Sequence, residues 1–350
     1  MSIVRLSLIG AAVATTATMA AAPMLEAQDR TRWRMHSTYS QALPVAGPTA
    51  YRIGEQIGLI TGGAFDIRVF EPGALVPGAG YYDAVSQGAI NAAYGSPGFN
   101  AGKNSAYNFF AAVPFGPDAG EMLAWLHHGG GLELAREFYA RDNIHMLPCG
   151  ILPPESAGWF KTEITSVDDL AGLKMRFLGL GAKVMEKFGV STQILAPGEV
   201  FQALELGTID AAEQSIPAID RGLGFYQIAK FNYFPGWHQP STVQELLINL
   251  DSWNALTDGQ RALVEMACAQ ATVEQLADGE AGQHAVMQQN EADGVSIMTF
   301  PDEMIDAFRT AWEEVIAEEI AANPDSARVW DSLTAFRAEY AIWGERAYLR

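Results

Sequence analysis

The chain has 350 residues, 49% of them apolar and 18% charged, the balance of an ordinary globular protein with room for two cores. Its formal net charge of -19 repels phosphate backbones and anionic lipids alike, which excludes nucleic acid and acidic membrane surfaces as standing partners. An acidic protein that captures an anion must place positive charge at its site deliberately.

Arg5 supplies a short basic start, 6–22 is an apolar run, and small-residue cleavage patterns follow at 20–22 and at Leu25-Glu26-Ala27. This arrangement is a secretory signal, because the run is shorter than the ~20 apolar residues that span a bilayer. Pro23 disfavours the earlier site, so cleavage after Ala27 is expected, and 1–27 is set apart from the folded chain. Secretion permits a disulfide between Cys149 and Cys268. Their wide spacing leaves a pair of buried free thiols equally open.

Strands are expected over 33–37, 65–70, 90–94, 144–152, 173–177 and 209–213, separated by segments of helical periodicity, which gives α/β architecture. Within this pattern 82–93 aligns without gaps on 201–212. In each copy an aromatic residue (Tyr82, Phe201) opens a short helix, a glycine (Gly88, Gly207) ends it, and an apolar strand follows. The echo puts Tyr94 and Glu213 at equivalent places, and strand ends in open α/β sheets face the ligand cleft. Further on, 243–250 reads as a buried strand. Thr257 and Gln260 then form a capping box that opens a helix to about Asn290. A strand over 295–300 precedes a helix begun by Pro301, and Pro324 punctuates it before the last. Glu313, Glu314, Glu318 and Glu319 read as a solvated face.

No nucleophile elbow, phosphate-binding glycine loop or HExxH pattern is present, and the pair His127-His128 is followed by glycines; a binding protein rather than an enzyme is expected. Arg176 ends an apolar strand, where its planar fork can hold a carboxylate bidentately or else pair with a neighbouring acid. Glu155, Glu213, Gln214 and Trp237 are the residues to look for around it. Two acids and an amide beside one arginine could complete a hard-cation site. Phe99 and Trp237 could wall the pocket, as could Tyr94 through the echo.

The stretches Val113-Pro114-Phe115-Gly116, Gly158-Trp159-Phe160, Leu173-Lys174-Met175-Arg176, 203–213, Gly224-Phe225-Tyr226 and Phe234-Pro235-Gly236-Trp237 resemble the solute receptors of tripartite ATP-independent periplasmic (TRAP) transporters. The nearest branch is the one that binds 2-oxo monocarboxylates such as pyruvate. The resemblance runs from about Trp33 to the C-terminal helices. It implies a two-lobed periplasmic binding protein (type II-like) with crossing strands, a long lobe-spanning helix and C-terminal helices. One lobe would comprise 28–151 with about 241–280, the other 152–240 with about 281–350. It implies capture of a small organic carboxylate for delivery to small and large integral membrane TRAP subunits, and the terminal helices permit a homodimer. Arg176 matches the family arginine that pairs with the carboxylate, and Glu213 an acid that helps hold a Na or Ca ion bridging ligand and protein. Where that branch has a glutamine this chain has Glu155, and where it has a tryptophan this chain has Gln214. The extra acid favours Ca²⁺ over Na⁺, or else a ligand that carries its own cationic group. A ligand sensor for a membrane receptor would share the fold.

Overall fold

The computed structural model describes residues 30–77 and 80–347; the expected signal segment lies outside them. In chain order the strands are β1 (Thr31–Ser37), β2 (Phe65–Phe70), β3 (Ala92–Gly95), β4 (Ile144–Leu152), β5 (Gly158–Phe160), β6 (Lys174–Arg176), β7 (Ser191–Gln193), β8 (Ala211–Ala212), β9 (Phe231–Phe234), β10 (Thr242–Asn249) and β11 (Ser296–Thr299). They build two sheets, one ordered β2-β1-β3-β10-β4 and the other β11-β9-β5-β8-β6-β7. Each sheet mixes parallel pairs with one inserted antiparallel strand or pair: β10 runs against β3 and β4, and β5 against β8 and β9. β4 and β10 are buried along nearly their whole length, which is why neither shows a strict polar/apolar alternation; β10 nonetheless carries buried Gln244 and Glu245.

Helices cover both sheets. Around the first sheet lie α1 (Ala46–Ile60), α2 (Tyr81–Ser86), α3 (Tyr107–Ala111), α4 (Ala119–His128) and α5 (Gly131–Ala140); around the second lie α6 (Leu180–Glu186), α7 (Pro197–Glu205) and α8 (Pro217–Gly222). The chain then continues through α9 (Leu250–Asn254), α10 (Asp258–Ala281), α11 (Gln283–Ala292), α12 (Asp302–Ala322) and α13 (Pro324–Ala347). The echo is visible in the backbone: α2 and α7 are each followed by a glycine at φ 72°, Gly88 and Gly207, and then by β3 and β8.

The capping box forms as its spacing requires, with Thr257 Oγ1 accepting from the Gln260 amide at 3.2 Å and Gln260 Oε1 accepting from the Thr257 amide at 3.0 Å. The helix it opens is not continuous to Asn290. It bends at Gly282, so that α10 lies on β4 and α1 while α11 packs on α8 and β11. Gly282 lacks a side chain to pack in either direction, and a glycine inside a helix weakens it. Cys268 of α10 is disulfide-bonded to Cys149 of β4 across a Cα–Cα distance of 4.2 Å, which resolves the alternative left open by the spacing. The last two helices divide between the sheets: α12 packs on α6, whereas α13 returns to α3, α4 and α5.

Glu319 departs from the solvated acidic face. It is buried, accepts from the Ser326 hydroxyl at 2.8 Å and pairs with Lys183 of α6. Glu314 and Glu318 do stay exposed, and both pair with Lys187.

One buried acid carries a pH signature. Glu245 of β10 accepts from Asn100 Nδ2 at 2.7 Å and from the Tyr139 hydroxyl at 2.6 Å, and burial pushes its carboxyl up to about 8 from a usual 4.5. The folded protein keeps a proton that the unfolded chain has already lost, so this group makes stability fall as pH rises through that interval. Glu245→Gln should remove that component, up to about 1.4 kcal/mol per pH unit. Urea unfolding of variant and wild type between about pH 5 and 8 reads the difference; a constant offset across the range would mean that Glu245 is ionised.

Candidate functional site

Parallel pairing creates the site. β6 lies between β7 and β8, with Arg176 in register with Ala212 and Gln193, so the residue ending β6 and the residue just past β8 emerge side by side at the carboxyl edge of the second sheet. The Glu213 amide donates to the Arg176 carbonyl at 2.9 Å. Arg176 Nη1 donates in turn to Glu213 Oε2 at 2.8 Å and to the Glu213 carbonyl. Both side chains are 0% exposed. Arg176 Nε and Nη2 make no hydrogen bond, leaving two donors of the guanidinium fork without a protein partner.

Two of the segments that pass between the sheets, β4–β5 and β9–β10, supply the rest. The Glu155 amide donates to the Gln239 carbonyl at 3.3 Å. Gly236 lies so close to the Glu155 carbonyl that any Cβ would collide with it, a close approach that only glycine permits. Glu155 Oε1 accepts from the Thr242 hydroxyl at 2.8 Å and from Ser215 Oγ at 3.5 Å. His238 Nε2 stands 3.2 Å from Glu213 Oε1, off the line of a hydrogen bond. The Gln239 amide lies between the two acids, 3.2 Å from Glu213 Oε1 and 3.2 Å from Glu155 Oε1. With its nitrogen toward them it donates to both carboxylates; with its oxygen toward them it completes an all-oxygen cluster.

Charge in this cluster is unbalanced. Burial pushes the Glu155 carboxyl well above its usual range, and the neighbouring Glu213 pushes it further. Burial acts upward on Glu213 as well, but Arg176, His238 and the Leu178 amide together hold it below the usual value. A third acid lies close by: Asp220, bonded to Trp159 Nε1 at 2.8 Å and to Ser156 Oγ at 3.2 Å, is raised by burial to about 7. Three buried carboxyls around one guanidinium form an environment that favours an added cation. Ligand atoms of Glu155, Glu213 and His238 lie within 4.8 Å of one another, and with Gln239 the donor set is mostly oxygen, which suits a hard cation. A cavity borders this cluster, lined by Tyr39, Phe99, Glu155, Gln214, Gln239 and Gln244 among others. Gln214 is buried there, and its Oε1 has no partner.

The structure thus brings together Arg176, Glu213, Glu155 and Gln214, with Phe99 as a wall. Two expected residues lie elsewhere. Tyr94 does not face the cleft: β3 continues to Gly95, so Tyr94 is still inside the strand, and its hydroxyl points to α10, where it accepts from Gln275 Nε2 at 2.9 Å. Glu213 has already left its strand. Trp237 is stacked between Phe115 and Phe308, at ring distances of 5.5 and 4.8 Å, and serves as core; the next side chain, His238, is the one that reaches the acids. His238 and Gln239 were not singled out in the sequence, although they directly follow the quoted Phe234-Pro235-Gly236-Trp237 stretch.

Comparison with known proteins places these features in context. The model for bacterial extracellular solute-binding proteins of family 7 (DctP) matches residues 42–323. A monocarboxylate 2-oxoacid-binding periplasmic protein of Nostoc sp. is 35% identical over 315 residues, which is 89% of this chain and 85% of that protein. Among solved structures, a TRAP transporter solute-binding protein from Bordetella bronchiseptica, a dimer with calcium and picolinate in one site, superposes with a TM-score of 0.88 at 36% identity, covering 91% of this chain and 95% of the other. A second, from Pseudoalteromonas atlantica with sodium and pyruvate, has a TM-score of 0.87 at 29% identity, with coverage of 91% and 97%.

Proposed function

The chain belongs to family 7 of the bacterial extracellular solute-binding proteins and is a TRAP transporter solute-binding protein, and from that premise we propose that its cargo is a small 2-oxo or 2-hydroxy monocarboxylate. Families of this kind deliver solutes rather than transform them, and TRAP receptors work in the periplasm. Arg176 holds the carboxylate, and a Ca or Na ion bridges ligand and protein. The observation that carries the reading is the fully buried Arg176 with Nε and Nη2 unpartnered beside three buried acids. One face of a guanidinium is spent on Glu213, and its remaining donors match a second carboxylate bidentately.

Glu155, Glu213 and the oxygen of Gln239 would hold the cation, with His238 bordering it and Gln214 beside the ligand. The ion supplies positive charge that lets the acids and the anionic cargo share one dry site. The chain's own contribution is to fix these donors with backbone from the β4–β5 and β9–β10 segments, so that bringing the two sheets together as lobes, with crossings near 152, 241, 281 and 323, completes the set. The membrane partners are then the small and large TRAP subunits.

Calorimetry with pyruvate, before and after chelation of divalent ions, tests this. Pyruvate affinity should fall by at least about tenfold on chelation and recover with added calcium, whereas cation-independent capture of pyruvate would overturn the metal bridge. Glu155→Gln should shift the preference from calcium toward sodium, because fewer carboxylate oxygens remain to hold a divalent ion. Binding of a zwitterion alone, with no need for a metal, would point instead to a ligand whose own cationic group faces Glu155.

A further inference from the structure

The segment that carries His238 and Gln239 is held on both sides by the connection between α3 and α4. The Phe115 amide donates to the Trp237 carbonyl at 2.7 Å, and the Ser241 hydroxyl donates to the Pro117 carbonyl at 3.1 Å, so the two bonds bracket 238–240. Holding the first of them takes an unusual backbone. Phe115 has φ 52°, in the left-handed region that a bulky residue rarely occupies, and a Cβ on the next residue, Gly116, would stand 2.5 Å from the Val113 carbonyl oxygen. Strain of this kind persists only where the surroundings over-determine it. Here they do: the Phe115 ring stacks on Trp237 at 5.5 Å, Arg309 of α12 stands over that ring at 4.2 Å, and Arg337 of α13 donates to the Phe115 carbonyl at 3.2 Å. Arg337 is itself fixed by Glu121 of α4, which accepts from its Nε at 3.1 Å.

Resting on the reading that Gln239 and His238 face a bound cation, we infer that Phe115 is a positioning residue for that cation. It belongs neither to the acid cluster nor to the lining of the cavity beside it. Its amide and ring set where the 238–239 backbone stands, and with it the Gln239 side chain opposite Glu155 and Glu213. Arg176 lies outside this chain of contacts, because its partner is Glu213 at the end of β8. A fault at Phe115 therefore weakens the grip on the cation and spares the grip on the carboxylate.

The test is calorimetry of the chelated, full-length mature protein with pyruvate at increasing calcium, which gives the calcium concentration that half restores binding. Phe115→Gly keeps the left-handed backbone, which glycine adopts freely, and removes the ring. It should raise the half-restoring calcium concentration at least about tenfold, while pyruvate affinity at saturating calcium changes less than about threefold. Phe115→Tyr keeps the ring and should match the wild type within about threefold. Ser241→Ala deletes the second bond with little change of bulk, and should raise the calcium requirement by about threefold to tenfold, the weight of one buried hydrogen bond. An unchanged calcium requirement in either Phe115→Gly or Ser241→Ala, or a rise matched by an equal loss of pyruvate affinity at saturating calcium, would overturn this inference and leave the cation reading standing. Capture of pyruvate by the wild type without calcium would overturn the cation reading and the inference together.

Discussion

Replacing Arg176 with alanine should cost the receptor its cargo, with affinity falling several hundredfold or more. The guanidinium is fully buried, and its loss strands Glu213 as an uncompensated charge. Breaking one partner out of a buried pair costs about 3–5 kcal/mol, and each 1.4 kcal/mol is a tenfold change in binding. Both terms act in the same direction here, because the removed group would otherwise hold the incoming carboxylate through Nε and Nη2. Two readouts separate the roles. If Arg176 were only the structural partner of Glu213, Arg176→Ala would lower the unfolding midpoint and leave affinity at the native value, and the carboxylate assignment would fall. Arg176→Lys refines the comparison: a lysine keeps the charge beside Glu213 but lacks the planar fork, so stability should be largely restored and affinity should not.

The second large effect concerns the Cys149–Cys268 disulfide. It closes a loop across a separation of 119 residues, and chain-entropy reasoning assigns a loop of that order roughly 4–5 kcal/mol of stability. Cys149→Ala paired with Cys268→Ala is therefore expected to lower the unfolding free energy by about 3–5 kcal/mol, measured by urea titration. Reductant should produce the same loss in the wild type and none in the variant. Because α10 is fastened to β4 by this bond and the site lies at the edge of the other sheet, ligand affinity of the folded variant should stay within about threefold of wild type. A variant as stable as the parent would show that the noncovalent packing of α10 on β4 suffices.

Two strands were legible in the sequence for different reasons: 65–70 coincides with β2 because Asp66 and Arg68 alternate with buried Phe65 and Ile67, and 144–152 with β4 because a strand buried on both faces is almost wholly apolar. The three strands it did not announce, β5, β7 and β9, span three or four residues each, too few for a period to register. β7 is also polar, with Ser191 and Gln193 exposed on the sheet edge. In the site, Arg176 and Glu213 were readable because parallel strand ends converge by topology. Glu155 was readable as an acid in a loop next to a buried strand. His238 and Gln239 were not, since their position depends on how the segment after β9 folds over Glu155 around Gly236, and no local pattern encodes that fold. Tyr94 failed for a related reason. The echo aligns residues along the chain but does not say where each strand stops, and one extra residue of strand turns a side chain from the cleft to the core.

The chain passes between the two sheets at β4–β5, β9–β10, α10–α11 and α12–α13. On the two-lobed reading proposed above, four short connections would restrict sliding and twisting and leave an opening angle as the soft coordinate. One distance across the mouth then reports the whole state of the molecule. A donor and acceptor dye attached on opposite sides, one on exposed Leu59 of α1 and the other on exposed Leu206 after α7, would turn this architecture into an optical sensor whose signal tracks solute concentration without any reaction being consumed.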